Sequence, residues 1–132
     1  MTAYKIEKHP VHLGLGASAE VQPEFTGAME WYMDYGQRTA GDGPEGRLVS
    51  MYSFDKPWDS WEVHPEGHEV VLCVAGEIDL LQEQADGSQV KTQLKAGEYA
   101  VNPPGVWHTA DVAAPCTCLF ITAGQGTDHR PR

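Results

Sequence analysis

Two stretches of this sequence concentrate side chains able to bind a metal ion or move protons. The first, residues 61–69, reads WEVHPEGHE, and the second, residues 97–108, reads GEYAVNPPGVWH. Imidazole and carboxylate are the usual protein ligands of divalent first-row metals. On a strand, residues two apart share a face, so Glu62 and His64 aim together. Pro65 and Gly67 interrupt that strand before it resumes at Glu69. If Glu69 faces inward so do Val71 and Cys73, while His68 faces away. The turn at Pro103–Gly105 places His108 on a strand returning antiparallel to residues 98–102. Two imidazoles and two carboxylates converging in a barrel can fill four positions around a divalent ion and leave others for water or substrate. Taken alone, Glu62 reads equally as a solvated or ion-paired strand residue. The whole set has a metal-free reading too, as a buried polar network satisfied by water.

Such groups need a scaffold, and the chain downstream of residue 46 reads as short strands. They fall at 47–54, 61–64, 69–75, 77–84, 89–94, 98–102, 106–112 and 117–123, separated by Gly, Pro and Asp-Gly turns. Asp86-Gly87 is a strong hairpin signal. A series of short strands at this spacing predicts a double-sheet jelly roll or a closed barrel. Upstream, residues 1–25 hold weak patterns punctuated by Pro10, Gly14, Gly16 and Pro23. From Thr26, a candidate cap, the pattern turns helical to about Ala40, with Met29, Tyr32 and Met33 on one side and Asp34 one turn before Arg38. The stretch GDGPEG at 41–46 then ends the helix in a loop, and the single helix packs outside the barrel.

The two segments resemble the paired motifs of the cupin superfamily. Its first motif runs His-x-His, three or four residues, Glu, six residues, Gly; here the positions hold Glu62, His64, Glu69 and Gly76. Its second runs Gly, five residues, Pro-x-Gly, two residues, His, three residues, Asn. Gly97, Pro103, Gly105 and His108 fall in step, with Val112 in the last place. The resemblance covers residues 47–122. It implies an all-β, cupin-type double-stranded β-helix with an N-terminal arm and one short helix, as a single domain spanning 1–132. Within it, 1–46 would be arm and helix, 47–123 the barrel core and 124–132 a polar tail. Carried over residue by residue, the metal ligands are His64, Glu69 and His108, with Glu62 a fourth candidate by position. The resemblance also implies a homodimer, and a metal-dependent small-molecule enzyme of the dioxygenase, isomerase or lyase type. The alternative is a non-catalytic barrel that binds a small ligand as sensor or carrier.

Two departures from the motif bear on the chemistry: Glu62 replaces the first His, and Lys56 stands where a Gly is expected. Three imidazoles and one carboxylate leave a divalent ion with a net charge of about +1, whereas two and two leave about zero. The neutral, oxygen-richer site favours Fe²⁺ or Mn²⁺ over Ni²⁺ or Zn²⁺. Lys56 or Arg47 could instead neutralise Glu62 and leave three ligands. Tyr99 or a non-ligating carboxylate is the candidate acid or base. Trp58, Trp61, Trp107, Tyr52, Tyr99 and Phe120 read as core and rim packing, some of them as the apolar wall of a pocket. His9 and His12 are expected to face solvent, and His129 to lie in an irregular tail beside or away from the barrel mouth.

Composition narrows the partners. The chain has 132 residues, the size of one domain, and a net charge of −10 from 19 acidic and 9 basic side chains. Such a surface repels phosphate backbones and anionic lipid heads, which argues against nucleic acid and membrane; the small-molecule partner is what the resemblance implies. No apolar run approaches the ~20 residues of a bilayer span, and the first sixteen residues lack a secretory signal's apolar stretch. Cys73, Cys116 and Cys118 are odd in number and without CxxC spacing, so they read as reduced core thiols of a cytoplasmic protein. Gly14–Ser18 (GLGAS) lacks the Lys and the strand-to-helix setting of a phosphate cradle, and no Ser/His/Asp set assembles. No organic cofactor is implied.

Overall fold

A computed structural model describes residues 1–132. The strands are β1 (Val11–Leu13), β2 (Ala19–Val21), β3 (Arg47–Phe54), β4 (Ser60–Val63), β5 (Glu69–Ala75), β6 (Glu77–Glu83), β7 (Gln89–Lys95), β8 (Tyr99–Asn102), β9 (His108–Asp111), β10 (Cys116–Thr122) and β11 (Asp128–Pro131). One α-helix, α1 (Met29–Thr39), precedes β3. The strands form two antiparallel sheets, one ordered β2-β1-β3-β10-β5-β8 and the other β11-β4-β9-β6-β7. From β4 onward the chain passes repeatedly between the sheets, so that their inner faces close on one another as a jelly roll.

Alternation decides what goes inside. On β5, Glu69, Val71 and Cys73 are buried; on β10, Cys116, Cys118 and Phe120 are. Register puts Cys118 opposite Cys73 and Phe120 opposite Val71, so one apolar layer runs across the sheet. With Ile78, Leu80, Leu94, Ala110 and Val112 it makes the core of one end of the barrel. All three cysteines are free and buried there. Burial pushes the thiols up, most of all Cys118, which suits space-filling rather than reactive cysteines. The chain leaves β5 for the other sheet through Gly76, at φ 77°. A Cβ there would come within 2.6 Å of the Pro115 carbonyl oxygen. Only glycine meets both demands.

The N-terminal region departs from expectation. Residues whose sequence pattern is weak form β1 and β2, which extend the first sheet beyond β3. His12, expected at the surface, is 1% exposed. Its Nδ1 lies 2.7 Å from the Tyr35 hydroxyl on α1 and its Nε2 2.6 Å from Asp42, so it ties strand, helix and the following turn together. Helix α1 begins at Met29, after Thr26 Oγ1 has accepted the Ala28 N–H. Its buried residue is Trp31, stacked on Tyr35 and edge-on to Phe25; Met29, Tyr32 and Met33, which share one side, are exposed. Arg38 donates to Gln22 instead of pairing with Asp34. Ala40–Glu45 forms short 3-10 turns with a break at Gly43. The tail is not irregular: its last residues are β11, paired with β4 over four residues. No helix is long and apolar enough to cross a membrane.

Replacing Gly76 by Ala should lower unfolding free energy by about 1–3 kcal/mol, the cost of a left-handed non-glycine backbone with a backbone clash added. Urea denaturation of the variant beside Gly87→Ala checks it. Gly87 also has positive φ but has nothing within 4 Å of an added Cβ, so its loss should be the smaller.

Candidate metal centre

The polar end of the barrel lies opposite the apolar layer. Glu62 sits on β4, His64 just beyond its end, Glu69 at the start of β5 and His108 at the start of β9. Register makes His129, Glu62, His108 and Gln82 cross-strand neighbours in one row across the second sheet. On the facing sheet Asn102 and Thr122 flank Glu69 in the same way. The four sequence-predicted groups therefore meet: one ligand atom from each of Glu62, His64, Glu69 and His108 lies within 4.8 Å of the others. His64, Glu69 and His108 are 3%, 3% and 1% exposed, while Glu62 stands half-buried at the rim.

Distances inside the cluster are short. His64 Nε2 is 3.0 Å from Glu62 Oε1 and 3.1 Å from Glu69 Oε2, and His108 Nε2 is 3.2 Å from Glu69 Oε1. Yet neither Nε2 has an oxygen in line for a hydrogen bond, and both are buried without a partner. The outer nitrogens explain why. His108 Nδ1 is 3.2 Å from the Val106 carbonyl, which can only accept, so Nδ1 carries the proton. His64 Nδ1 is 2.7 Å from Thr127 Oγ1, whose own proton goes to the Gly124 carbonyl at 2.8 Å. Thr127 thus accepts, and His64 also holds its proton on Nδ1. In the neutral form both rings turn an Nε2 lone pair inward toward carboxylate oxygens. Four electron-rich groups facing one another call for a cation between them, and the donor set fits a divalent ion.

Glu69 is fixed from outside as well. Its Oε1 accepts from Asn102 Nδ2 at 3.1 Å and its Oε2 from Thr122 Oγ1 at 2.6 Å. Gln82 in turn donates to Asn102 Oδ1 at 2.7 Å. Burial works against the charged carboxylate, but His108 and His64 outweigh it and hold the Glu69 carboxyl well below the usual range. Burial likewise opposes protonation of His64. The carboxylates of Glu62 and Glu69 prevail, and its value rises to about 9. A proton and a metal ion thus compete for the same lone pair.

Other expectations resolve differently. Tyr99 is 65% exposed on the outer face of its sheet, opposite Leu72, and cannot reach the cluster from there. His68 is exposed, as alternation predicts. Lys56 and Arg47 are exposed and do not neutralise Glu62; its partners are His64 and, at 3.7 Å, His129. Trp107 faces away, with the Arg130 guanidinium 4.6 Å from its ring. The inner wall beside His108 is made by Trp58, Phe54, Phe120 and Tyr52 in mutual ring contact. The Tyr52 hydroxyl meets that of Tyr32 from α1. Burial raises both phenols, with Glu62 adding to the shift, so both stay protonated through neutral pH. Asn102, Thr122, Thr127 and Gln82 carry no motif signal. Parity along their strands could have marked the first two as inward; nothing local marks Thr127.

Comparison with solved structures gives the same barrel. The chain is similar to a conserved protein with a double-stranded β-helix domain from Klebsiella pneumoniae, at TM-score 0.54 and 23% identity over 65% of this chain and 76% of that one. The chain has the cupin fold. This cupin barrel is also similar to oxalate oxidase, at TM-score 0.54 and 16% identity over 61% of this chain and 44% of that one, so it spans less than half of the oxidase. A cupin-2 domain protein from Shewanella frigidimarina aligns at TM-score 0.49 and 21% identity, over 65% of this chain and 71% of that one. No family model matches the sequence, and no curated protein matches it significantly.

Because His64 has its value raised from 6.5 to about 9, its charge stabilises the metal-free fold fully below pH 6.5 and that contribution is lost as pH rises through about 9. Urea unfolding of chelator-treated protein across this range should show falling stability. His64→Gln should flatten the curve.

Proposed function

We propose that this cupin barrel is a metal-dependent enzyme acting on a small molecule, of the dioxygenase, isomerase or lyase type. Glu62, His64, Glu69 and His108 would hold one divalent ion, with Fe²⁺ or Mn²⁺ preferred over Ni²⁺ or Zn²⁺. The observation that carries the reading is the pair of unpartnered Nε2 atoms of His64 and His108, each with its Nδ1 proton committed elsewhere. When bound, the ion would supply Lewis acidity and, as iron or manganese, redox chemistry toward a bidentate oxygen-bearing substrate or dioxygen. Two carboxylates facing two neutral imidazoles offset the ion's charge and leave little pull on anions, in a protein already at −10. A substrate of low charge fits that field better than a polyanion.

The chain's own residues would do the rest. Phe54, Trp58 and Phe120 make a dry aromatic wall beside His108, suited to an apolar substrate body and to excluding water. Tyr52, protonated and facing inward, takes the acid role that Tyr99 cannot, as a hydrogen-bond donor beside Glu62. Oxalate oxidase, by its name an enzyme for a small oxygen-bearing molecule, supports the reading only as an example of what this fold can house. The outer sheet face carries Val70, Leu72, Tyr99, Leu119 and Ile121 side by side, an apolar strip suited to a second copy of the chain. The free buried thiols support a reducing, cytoplasmic compartment.

Elemental analysis of untagged protein purified without chelator tests the centre. Near-stoichiometric Fe or Mn that disappears in His108→Ala is the expected result. Metal-free protein that stays empty after anaerobic incubation with Fe²⁺ and Mn²⁺ would sink the proposal. Glu62→Gln should shift preference toward Zn²⁺, and unchanged affinity and preference would remove Glu62 from the ligand set. Sedimentation should show a dimer that Tyr99→Glu converts to monomer.

A further inference from the structure

The segment after β10 meets two of the candidate ligands, His64 and Glu62, and packs against the turn between His64 and Glu69. Ala123 packs against Gly67, where an added Cβ would come within 2.7 Å. Gly126, at φ 74°, turns the chain against Pro65, immediately after His64. Thr127 then meets His64 Nδ1 at 2.7 Å, and His129 Nε2 stands 3.7 Å from Glu62 Oε2. Next along the strand, the Arg130 guanidinium lies 5.3 Å from the Trp61 ring and 4.6 Å from that of Trp107, and pairs with Glu83. Arg132 closes the end, donating to the carbonyls of Trp58 and Ala110 at 3.1 and 3.0 Å and pairing with Asp111. A polar tail held by two arginines and a strand ladder is not a loose end.

Strand pairing makes the dependence sharper. Strand β4, which carries Glu62, shares one registered pair with β9, Glu62 opposite His108. With β11 it shares four. Most of the registered pairing of the strand bearing Glu62 therefore comes from the C-terminal segment.

We infer that the C-terminal segment is a working part of the metal centre, in which Thr127 and His129 are positioning residues for its ligands. Thr127 fixes His64 as the tautomer whose Nε2 lone pair faces the ion. His129 stands on the outer side of Glu62, 3.7 Å from Oε2 and so in charge contact rather than hydrogen-bonded, and Oε1, 3.0 Å from His64 Nε2, is the oxygen turned inward. The inference rests on the metal-binding reading above. It goes beyond that reading by assigning roles to residues that lie in neither motif. Loss of a group that orients a ligand in this way typically costs about 10–100-fold in metal affinity.

The test uses the full-length protein and Co²⁺ as the probe, with affinity from chelator competition and the visible absorption bands as a report on ligand geometry. Thr127→Val keeps the side-chain shape but leaves His64 Nδ1 without an acceptor, while Thr127→Ser keeps the hydroxyl. The valine variant should bind Co²⁺ about 10–100-fold more weakly with shifted bands, and the serine variant should bind like the parent. His129→Ala should weaken binding in the same direction. His129→Gln, whose amide can donate to Glu62, should recover most of the loss. Because His129 is half exposed, its variants keep the test intact if Thr127→Val fails to fold. A purely structural role would lower the unfolding midpoint of the metal-free variants and leave the bands unchanged. Parent-like affinity and bands in both Thr127→Val and His129→Ala overturn the inference alone. A parent protein that takes up no Co²⁺, Mn²⁺ or Fe²⁺ overturns the metal-binding reading beneath it as well.

Discussion

A carboxylate that is almost fully removed from water has to be surrounded by donors or cations, and the polar end of this barrel is built around that demand at Glu69. Its two oxygens take one hydrogen bond each from Asn102 on β8 and Thr122 on β10. The imidazoles of His64 and His108 arrive from the opposite sheet, within 3.1 and 3.2 Å. Residues from β8, β9, β10 and the end of β4 must therefore be in register before Glu69 is tolerable inside. Removing Asn102 or Thr122 would leave the charge short of a partner, and such losses cost more than the bond itself is worth. The cluster thus depends on the fold: the sheets bring the groups together, and their register gives Glu69 its donors.

The barrel divides its length between two kinds of interior. At one end Val71, Ile78, Leu80 and the three thiols fill space and leave no chemistry. At the other, lone pairs and charges converge beside an aromatic wall. Trp58, Phe120 and Phe54 form the boundary, giving the cluster a low-dielectric flank on which electrostatic attraction is strong. Helix α1 belongs to this polar end. It reaches the site through the contact of the Tyr32 and Tyr52 hydroxyls, and through Phe25, which packs edge-on against Trp31, Tyr32 and Tyr52.

Much of the barrel was legible because alternation and turn residues are local signals. Arg47–Phe54 and Glu69–Ala75 read directly as strands of the observed length, Gly76 as the turn out of the second, and Asp86-Gly87 as the hairpin between β6 and β7. Inward facing of Glu69, Val71 and Cys73 followed from parity. Failures cluster where tertiary contacts override weak local patterns. Strands of three residues such as β1 and β2 are too short to show a period, and β11 contains a proline that an edge strand tolerates and a propensity reading penalises. His12 is polar and near the chain's start, yet Tyr35 and Asp42 satisfy both its nitrogens in the interior. Tyr99 shared a motif segment with the site, but one step in parity put its side chain on the other face.

By itself, the sequence determined which residues have metal-binding chemistry and that Glu62 and His64 share a strand face, as do Glu69, Val71 and Cys73. The spacing of Glu62, His64, Glu69 and His108 against the turns at Pro65–Gly67 and Pro103–Gly105 was enough to propose one cluster. Tertiary structure alone decided who stands beside whom. That Thr127 accepts a hydrogen bond from His64 Nδ1–H, that His129 lies across from Glu62, and that Tyr52 rather than Tyr99 faces the cluster depend on which strands pair and in what register. Local spacing carries no record of that choice. Pairing between distant strands is selected by the burial and hydrogen bonding of the whole barrel, so it exists only once the sheets have closed.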